Sequence, residues 1–391
     1  MPWEIHKVEV QRKDLIEAYL NGDASMSELC KKYKVSRKTA YKWLNRYIKG
    51  GGSLSDLPKA PSVPHRIFDD DLINIAIDTK LKHRVWGPRK ILAKLKRDYP
   101  EIRWPSATRL YEIFKTLHLV TPRRLRQRVP ATHPLGDLTQ SNDTWMADFK
   151  GWFLTGDNNK CEPLTITDGY SRFLIKCEYL PKKSAEYVWP IYREAFLEYG
   201  LPNRIRTDNG APFGSRGAGR LTPLAVNLIK AGVTPEWINP GHPEENGRHE
   251  RVHLTLKQSV ASPPANTLSE QISRMKSFQE EYNYDRPHES LEMQTPANYY
   301  SKSPRQWDGI LRSPEYDTST AIVRKVCSSG AIWLKQKEYY ISSTLVGEYI
   351  KIDQSSDELK VYFGPVFLGR LVPDIGLKKP LLAKKPTIRR G

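Results

Sequence analysis

Residues 144–150 read Thr144-Trp145-Met146-Ala147-Asp148-Phe149-Lys150, an alternation that marks a β-strand. A carboxylate set inside such a strand is costly to bury unless a cation partners it. Two further strand patterns follow, Pro163 to Thr167 and Phe173 to Tyr179. Then the period changes: Tyr187, Val188, Ile191, Ala195 and Phe196 recur at helical spacing across Ser184 to Tyr199. Asn203 to Arg206 is a short strand leading to Asp208. Leu224 to Ala231 is helical, Val233 to Ile238 is a strand, and Glu244 to Lys257 is a helix. Three strands in succession, then alternating helices and strands, predict a mixed-sheet α/β domain over 143–300.

Upstream the chain is helical. Leu15, Ile16, Tyr19 and Leu20 mark one helix, and Ser25 with Glu28 forms a capping box for a second that runs through Lys32. After a tight turn at Val35, Ser36 caps a third. Its apolar face is Ala40, Trp43, Leu44, Tyr47 and Ile48; the other carries Arg37, Lys38, Lys42 and Arg46. A short helix, a tight turn and a basic helix describe a helix-turn-helix DNA reader over 1–52. Gly50 to Ser53, with Pro58, Pro61 and Pro64, reads as a flexible linker. A second unit of the same kind is expected over 66–120. There Leu72, Ile73, Ile75, Ala76 and Ile77 open one helix, and Trp86-Gly87-Pro88 starts another with Ile91, Leu92 and Leu95 inward. Pro105 begins a third with Leu110, Ile113, Phe114 and Leu117 inward. Arg109 and Lys115 are left for solvent or phosphate. Residues 121–142 form a basic linker whose Arg123, Arg124 and Arg126 can lie along a DNA backbone.

Downstream, Thr267 and Glu270 cap a helix carrying Leu268, Ile272, Met275, Phe278 and Tyr282. Short strands at Ala321–Val326, Ile332–Leu334, Glu338–Ile341, Tyr349–Ile352 and Leu359–Phe363, split by turn residues, predict a small β-barrel over 315–373. A basic tail, 374–391, holds Lys378, Lys379, Lys384, Lys385, Arg389 and Arg390. The chain has 391 residues, 62 Lys and Arg against 44 Asp and Glu, and a formal charge of +18, which favours a polyanionic partner. With no apolar run near the ~20 residues of a membrane span and no secretory signal at the start, a cytoplasmic, nucleoid-associated protein with no membrane partner is expected. Cys30, Cys161, Cys177 and Cys327 lie too far apart for zinc spacing and read as reduced structural thiols.

Cutting and joining DNA needs a nucleophilic oxygen and a stabilised leaving oxygen, which two divalent ions about 4 Å apart, held by carboxylates, can supply. Three acids suit that task. Asp148 lies in a strand, Asp208 begins an Asp-Asn-Gly turn that lifts it clear of the sheet, and Glu250 sits on a helix opened by Pro243 and Asn246-Gly247. Lys257, two helical turns after Glu250, shares its face and is placed to reach phosphate. Glu244 and Glu245 fall in the first turn, where the helix dipole accounts for them. Asp168 reads as a turn residue pairing with Arg172. His242, His249 and His253 have poor spacing for zinc, and none is expected.

Four segments resemble a known family. WMADFKG (145–151), IRTDNGAPF (205–213) and PGHPEENGRHERVHLTLK (240–257) look like the three signature segments of insertion-sequence transposases related to retroviral integrases. YNYDRPHESLEMQTPA (282–297) resembles that family's segment after the core. The resemblance is strongest from Trp145 to Ala297. It implies a ribonuclease-H-like core in which Asp148, Asp208 and Glu250 are the catalytic and metal-holding residues, with two Mg²⁺ or Mn²⁺ ions. The implied activity frees a 3′-OH at a transposon end and directs it at a target phosphodiester. The implied partners are terminal inverted repeats, target DNA and further copies of the chain, as a homodimer or larger, since two ends must be handled. The interval from Asp208 to Glu250 is longer than the family's usual one, and residues 214–223, rich in Gly and Arg, are expected to form the extra loop. Competing readings are an inactive DNA-binding regulator and a structure-specific nuclease of the same fold.

Overall fold

The computed structural model describes residues 8–49, 54–56, 68–120, 138–239, 245, 247–319, 321–353, 358–373 and 375–380. The chain falls into two compact units, divided between Phe68 and Asp69. The expected contact residues Arg123, Arg124 and Arg126 lie outside the described residues. So do most of the prolines and glycines of the first linker, Pro243, Glu244 and Asn246, His242, and the tail beyond Pro380.

The first unit is three helices: α1 (Val8–Leu20), α2 (Met26–Lys32) and α3 (Arg37–Lys49). The capping box at Ser25 and Glu28 is present in both directions. Ser36 caps α3 through the Thr39 amide at 3.1 Å. Leu15, Ile16, Met26, Leu29, Val35, Ala40, Trp43 and Leu44 share one core. Ile48, expected on the apolar face, is exposed, one residue from the end of α3. Arg12 is buried instead. Its guanidinium lies 3.7 Å from the Trp43 ring centroid and donates to the Leu54 carbonyl at 2.8 Å and to Asp56.

The second unit opens with α4 (Asp70–Lys82), α5 (Pro88–Asp98) and α6 (Ala107–Thr116). Pro88 occupies the first turn of α5. On α6 the cap is Ser106, so Pro105 stands just before the helix rather than in it. Trp86, Ile91, Leu95, Leu110 and Phe114 fill this small core, and Leu117, expected inward, is exposed beyond the end of α6.

Next come the strands β1 (Thr144–Phe149), β2 (Phe153–Leu154), β3 (Lys160–Cys161), β4 (Pro163–Asp168) and β5 (Leu174–Tyr179), then α7 (Ala185–Tyr199) and β6 (Arg204–Thr207). After them lie α8 (Pro223–Lys230), β7 (Thr234–Trp237), α9 (Gly247–Ser259) and α10 (Leu268–Glu280), the last continued by a π-turn at Glu281–Asp285. The sheet order is β5-β4-β1-β6-β7. β1 is antiparallel to β4 and parallel to β6, so the sheet is mixed as expected. The two faces bury different layers. Trp145, Ala147, Leu164 and Ile166 pack against Val188, Tyr192, Phe196 and Leu228 of α7 and α8. Leu174 and Cys177 pack against Val252, Leu256, Met275 and Phe278 of α9 and α10. Tyr187 points outward, contrary to its helical spacing.

The C-terminal part holds β8 (Ala321–Lys325), β9 (Ala331–Leu334), β10 (Lys337–Tyr340), β11 (Tyr349–Asp353), β12 (Leu359–Phe363), β13 (Val366–Val372) and β14 (Gly376–Lys378). The expected closed barrel is not what these strands make. They form an open sheet, β14-β13-β12-β11-β8, and a separate β9–β10 hairpin. The hairpin turns through Lys335 and Gln336, both at positive φ, and the backbone ladder of β9 runs only to β10. Ile332, Leu334, Ile350, Val361, Phe363 and Leu368 still share one core.

Candidate active site

β1 and β6 are parallel neighbours, so their C-terminal ends emerge on the same edge of the sheet. Asp148 lies near the end of β1, opposite Thr165 of β4. Asp208 directly follows β6, and Glu250 is on the first turn of α9, exposed. Asp148 is half-buried, and its carboxylate accepts from the Phe149 amide at 2.7 Å. Its pKa is pushed up to about 6, first by burial, then by the negative charge of Asp208; Glu250 adds the smallest push, and Lys183 opposes them. Asp148 therefore feels the charge of both other carboxylates expected from the sequence. Among the described residues they do not close into a ready cage of three His, Cys, Asp or Glu groups. Asp148 and Asp208 rest on backbone amides, Asp208 on that of Gly210 at 3.1 Å.

The geometry that places Glu250 lies in residues the sequence reading set aside. His249 is fully buried, with Nε2 2.7 Å from the Thr165 hydroxyl and Nδ1 2.9 Å from that of Thr167. His253, one turn later, brings Nε2 to 2.8 Å of the same Thr165 hydroxyl. Thr165 also donates to the Asp148 carbonyl at 3.2 Å. Burial holds His249 far below the usual imidazole range and His253 near 4, so both rings are neutral. Glu245 is buried too, accepting from the Asn239 amide and side chain at 2.8 Å each. It ties the chain entering α9 to the end of β7. The only advance signal was the i, i+4 spacing of two histidines on one helical face.

The long interval between Asp208 and Glu250 has a structural cause. Ala218 and Leu221 of the inserted loop are buried in the C-terminal core beside Leu368. Gly219, at φ +58, sits so close that a side chain there would meet Leu368 and Val366 within 3 Å. Arg220 returns to the site by donating to the Asn209 side chain at 2.8 Å, beside Asp208. Asp168 is wholly buried and is satisfied by the Asn142 amide and by the amide and hydroxyl of Ser171, not by Arg172 as expected.

Of the cationic residues expected to meet DNA, Arg37, Lys38 and Lys42 are exposed on α3, while Arg46 is half-covered 5.1 Å from the Trp43 ring. Arg109 pairs with Glu112 at 3.3 Å, and Lys115 is exposed. Lys257 is exposed on α9, and its charge reaches Lys150.

Two models of the integrase core domain match this chain, over residues 139–243 and 231–296, and a model of a helix-turn-helix domain matches residues 11–62. Residues 139–296 are thus similar to an integrase core domain. The chain is 27% identical over 225 residues to an uncharacterized 39.2 kDa protein of insertion element IS476 from Xanthomonas euvesicatoria, covering 56% of this chain and 61% of that relative. It is 24% identical over 281 residues to an uncharacterized 31.7 kDa protein of insertion element IS407 from Burkholderia multivorans, covering 71% of this chain and 95% of the relative. Among solved structures, the magnesium complex of the HTLV-2 integrase catalytic core, in its trimeric form, matches with a TM-score of 0.33 and 14% identity, over 41% of this chain and 97% of that one. A simian T-cell lymphotropic virus intasome in complex with PP2A regulatory subunit B56 gamma matches with a TM-score of 0.37 and 15% identity, over 76% of this chain and 99% of that one. No described helix is long and apolar enough to cross a membrane.

Proposed function

We propose that the chain is a transposase that binds the ends of its element and performs metal-dependent DNA cleavage and strand transfer, with Asp148, Asp208 and Glu250 as its catalytic carboxylates. The observation that carries the reading is geometric: Asp148 and Asp208 stand at neighbouring ends of two parallel strands, and Glu250 opens α9 close enough for its charge to act on Asp148. Acids at two strand ends and on a helix repel one another at one sheet edge, an arrangement that favours a divalent cation. An all-carboxylate donor set suits hard ions such as Mg²⁺ or Mn²⁺, two per site. Bound there, such ions supply a more nucleophilic oxygen and neutralise charge on the leaving oxygen.

The chain's own part is to place the reacting atoms. Asp148 and Asp208 fix the floor of the site on two strands, and Glu250 approaches from α9. Arg37, Lys38, Lys42 and Arg46 hold the terminal repeats through the helix-turn-helix. Arg109, Lys115, Arg123, Arg124, Arg126 and Lys257 contribute phosphate contacts. Hydrolysis frees a 3′-OH, which then attacks a target phosphodiester at the same carboxylates, forming a new P–O bond and expelling the target strand's own 3′-OH. Two ends must be joined in one event, so the working form is a homodimer or larger assembly on DNA.

The test is cutting and joining of a plasmid carrying the element's ends, with Mg²⁺ added or withheld. Cutting should appear only with metal, and Asp148→Asn, Asp208→Asn and Glu250→Gln should each abolish it while end binding persists. Specific binding by the wild-type chain without any metal-dependent cutting would mark it as a regulator instead.

A further inference from the structure

Beside the carboxylates the surface opens into a cleft of about 430 Å³, lined by Trp152, Lys160, Glu162, Leu180, Lys182 and Lys183. None of these has a part in the reaction described above. Trp152, just before β2, is 60% exposed, with the Lys160 ammonium 5.3 Å from its ring centroid. Glu162 is buried and takes Lys183 at 2.7 Å and Lys160 at 3.9 Å. One carboxylate thus pairs with two of the three lysines that line the cleft, and the third, Lys182, is exposed. The cleft adjoins the proposed catalytic site, because Lys183 lies 4.8 Å over the ring of Phe149, the residue after Asp148.

An exposed indole among cations beside a cutting site has a chemical meaning. Aromatic faces with flanking positive charge bind unpaired nucleotides, since every base has a π-face and every nucleotide a phosphate. A base inside a duplex keeps its faces stacked and has none to offer. The cleft's volume is that of a pocket for a small ligand, not of a groove for a helix. We propose that this cleft holds one unpaired nucleotide of the DNA strand beside the cut, its base stacked on Trp152 and its phosphate met by Lys160 and Lys182. The proposal rests on the DNA-cutting reading for its biological sense, but the binding it describes does not need catalysis.

The test uses the full chain with a chelator present, so that no strand is cut. The probes are a duplex with a short single-stranded extension carrying 2-aminopurine and the same duplex with blunt ends. Wild-type protein should favour the extended duplex and quench the 2-aminopurine fluorescence. Trp152→Ala should bind the extended duplex about tenfold more weakly, a typical loss for one stacked base, and should leave the fluorescence unquenched. Its affinity for the blunt duplex should not change. Trp152→Phe should restore most of the difference, and thermal unfolding of both variants should match wild type, since the side chain is exposed. Lys182→Ala should weaken only the extended complex, and mainly at low salt. The proposal is overturned if wild type shows no preference for the extension, if Trp152→Ala binds both probes like wild type, or if it loses both equally. A chain that shows the preference yet never cuts with metal keeps this site and loses the transposase reading.

Discussion

His249 Nε2 lies 2.7 Å from the hydroxyl of Thr165, the residue paired with Asp148 across β1 and β4. Its neighbour Glu250 is thereby set in register with the strand that carries Asp148. Both ring nitrogens of His249 are taken by threonine hydroxyls, so the ring cannot slide along the sheet without leaving a buried polar group unmatched.

Thr165→Val therefore removes the hydroxyl shared by His249 and His253 at nearly constant volume. Stability should fall by about 1–3 kcal/mol, the cost of buried nitrogens left unpaired. The telling readout is metal dependence. More Mg²⁺ should be needed for half-maximal cutting, while binding of the terminal DNA stays at wild-type strength. Thr165→Ser should restore the wild-type requirement. An unchanged Mg²⁺ requirement in Thr165→Val would mean that the network holds the helix but does not position Glu250.

The pH behaviour of Asp148 follows from the sign of its shift. The folded pKa of about 6 exceeds the ordinary carboxyl value of 3.8, so the folded state holds this proton more tightly than the unfolded state does. Ionisation thus opposes folding. The cost is absent below the unfolded value, grows as pH rises toward 6, and is complete above it. With a chelator present, Asp148→Asn should raise the melting temperature at pH 7–8, by a free energy of at most about 3 kcal/mol. The gain should disappear below about pH 4. In the wild type, cutting should decline as pH drops through about 6, because a protonated carboxyl competes poorly for metal. Equal melting shifts at pH 4 and pH 8 would show that the carboxylate is not destabilised by its surroundings.

The parts of the fold that were legible in the sequence are those whose signal is local. The strand at β1, the capping box at Ser25 and Glu28 and the apolar face of α5 each rest on signals within a few residues, though β1 is buried on both faces and does not alternate. The acids at 148, 208 and 250 could be singled out because each stands at an unusual local place: inside a strand, in an Asp-Asn-Gly turn, at a helix start. What stayed hidden is long-range. The partner of His249 is Thr165, that of Arg12 is Leu54, and that of Gly219 is Leu368. No spacing rule reports such pairs. The barrel expectation failed for a related reason. Strand spacing counts strands, but closure depends on which edges pair, and the β9–β10 hairpin pairs only with itself.

Arg12 makes a prediction about the first unit by itself. Its guanidinium stacks on Trp43 and donates to the Leu54 carbonyl and to Asp56. Arg12→Ala should destabilise the helix-turn-helix by about 2–3 kcal/mol, from the lost stacking and the carbonyl left without its donor. Arg12→Lys should recover little, because an ammonium lacks the flat fork that serves both roles. Native-state hydrogen exchange of the α1 and α3 amides reads this directly. Full recovery in Arg12→Lys would show that only the charge matters.

If α3 reads DNA as proposed, its base and phosphate contacts can be told apart. Arg37 and Lys42 are exposed on one helix and free of ion pairs among the described residues. Replacing both with Ala should weaken binding to the element's ends by about 1–3 kcal/mol per lost base contact, or lower the salt slope by about one per lost phosphate contact. Equal affinity of the wild-type chain for its own ends and for random DNA would remove sequence recognition from this helix.

Lys257 is the prediction that links α9 to the DNA. It lies two turns beyond Glu250, about 10 Å along the helix, and it is exposed. Its charge lowers the pKa of Lys150, after the larger effect of burial, so the two ammonium groups stand near each other just past the end of β1. Two such cations, neither in an ion pair among the described residues, repel, and a phosphate entering there relieves both. Lys257→Ala should therefore slow end joining and weaken DNA binding at low salt, with a loss that shrinks as salt rises and a salt slope smaller by about one. Lys230 is unsuitable as a comparison, since it is ion-paired to Glu348 at 2.6 Å and replacing it disturbs packing. Lys276, exposed on α10, serves better. If Lys257→Ala and Lys276→Ala join ends equally well from low to moderate salt, Lys257 is a solvated surface residue and the phosphate contact does not exist.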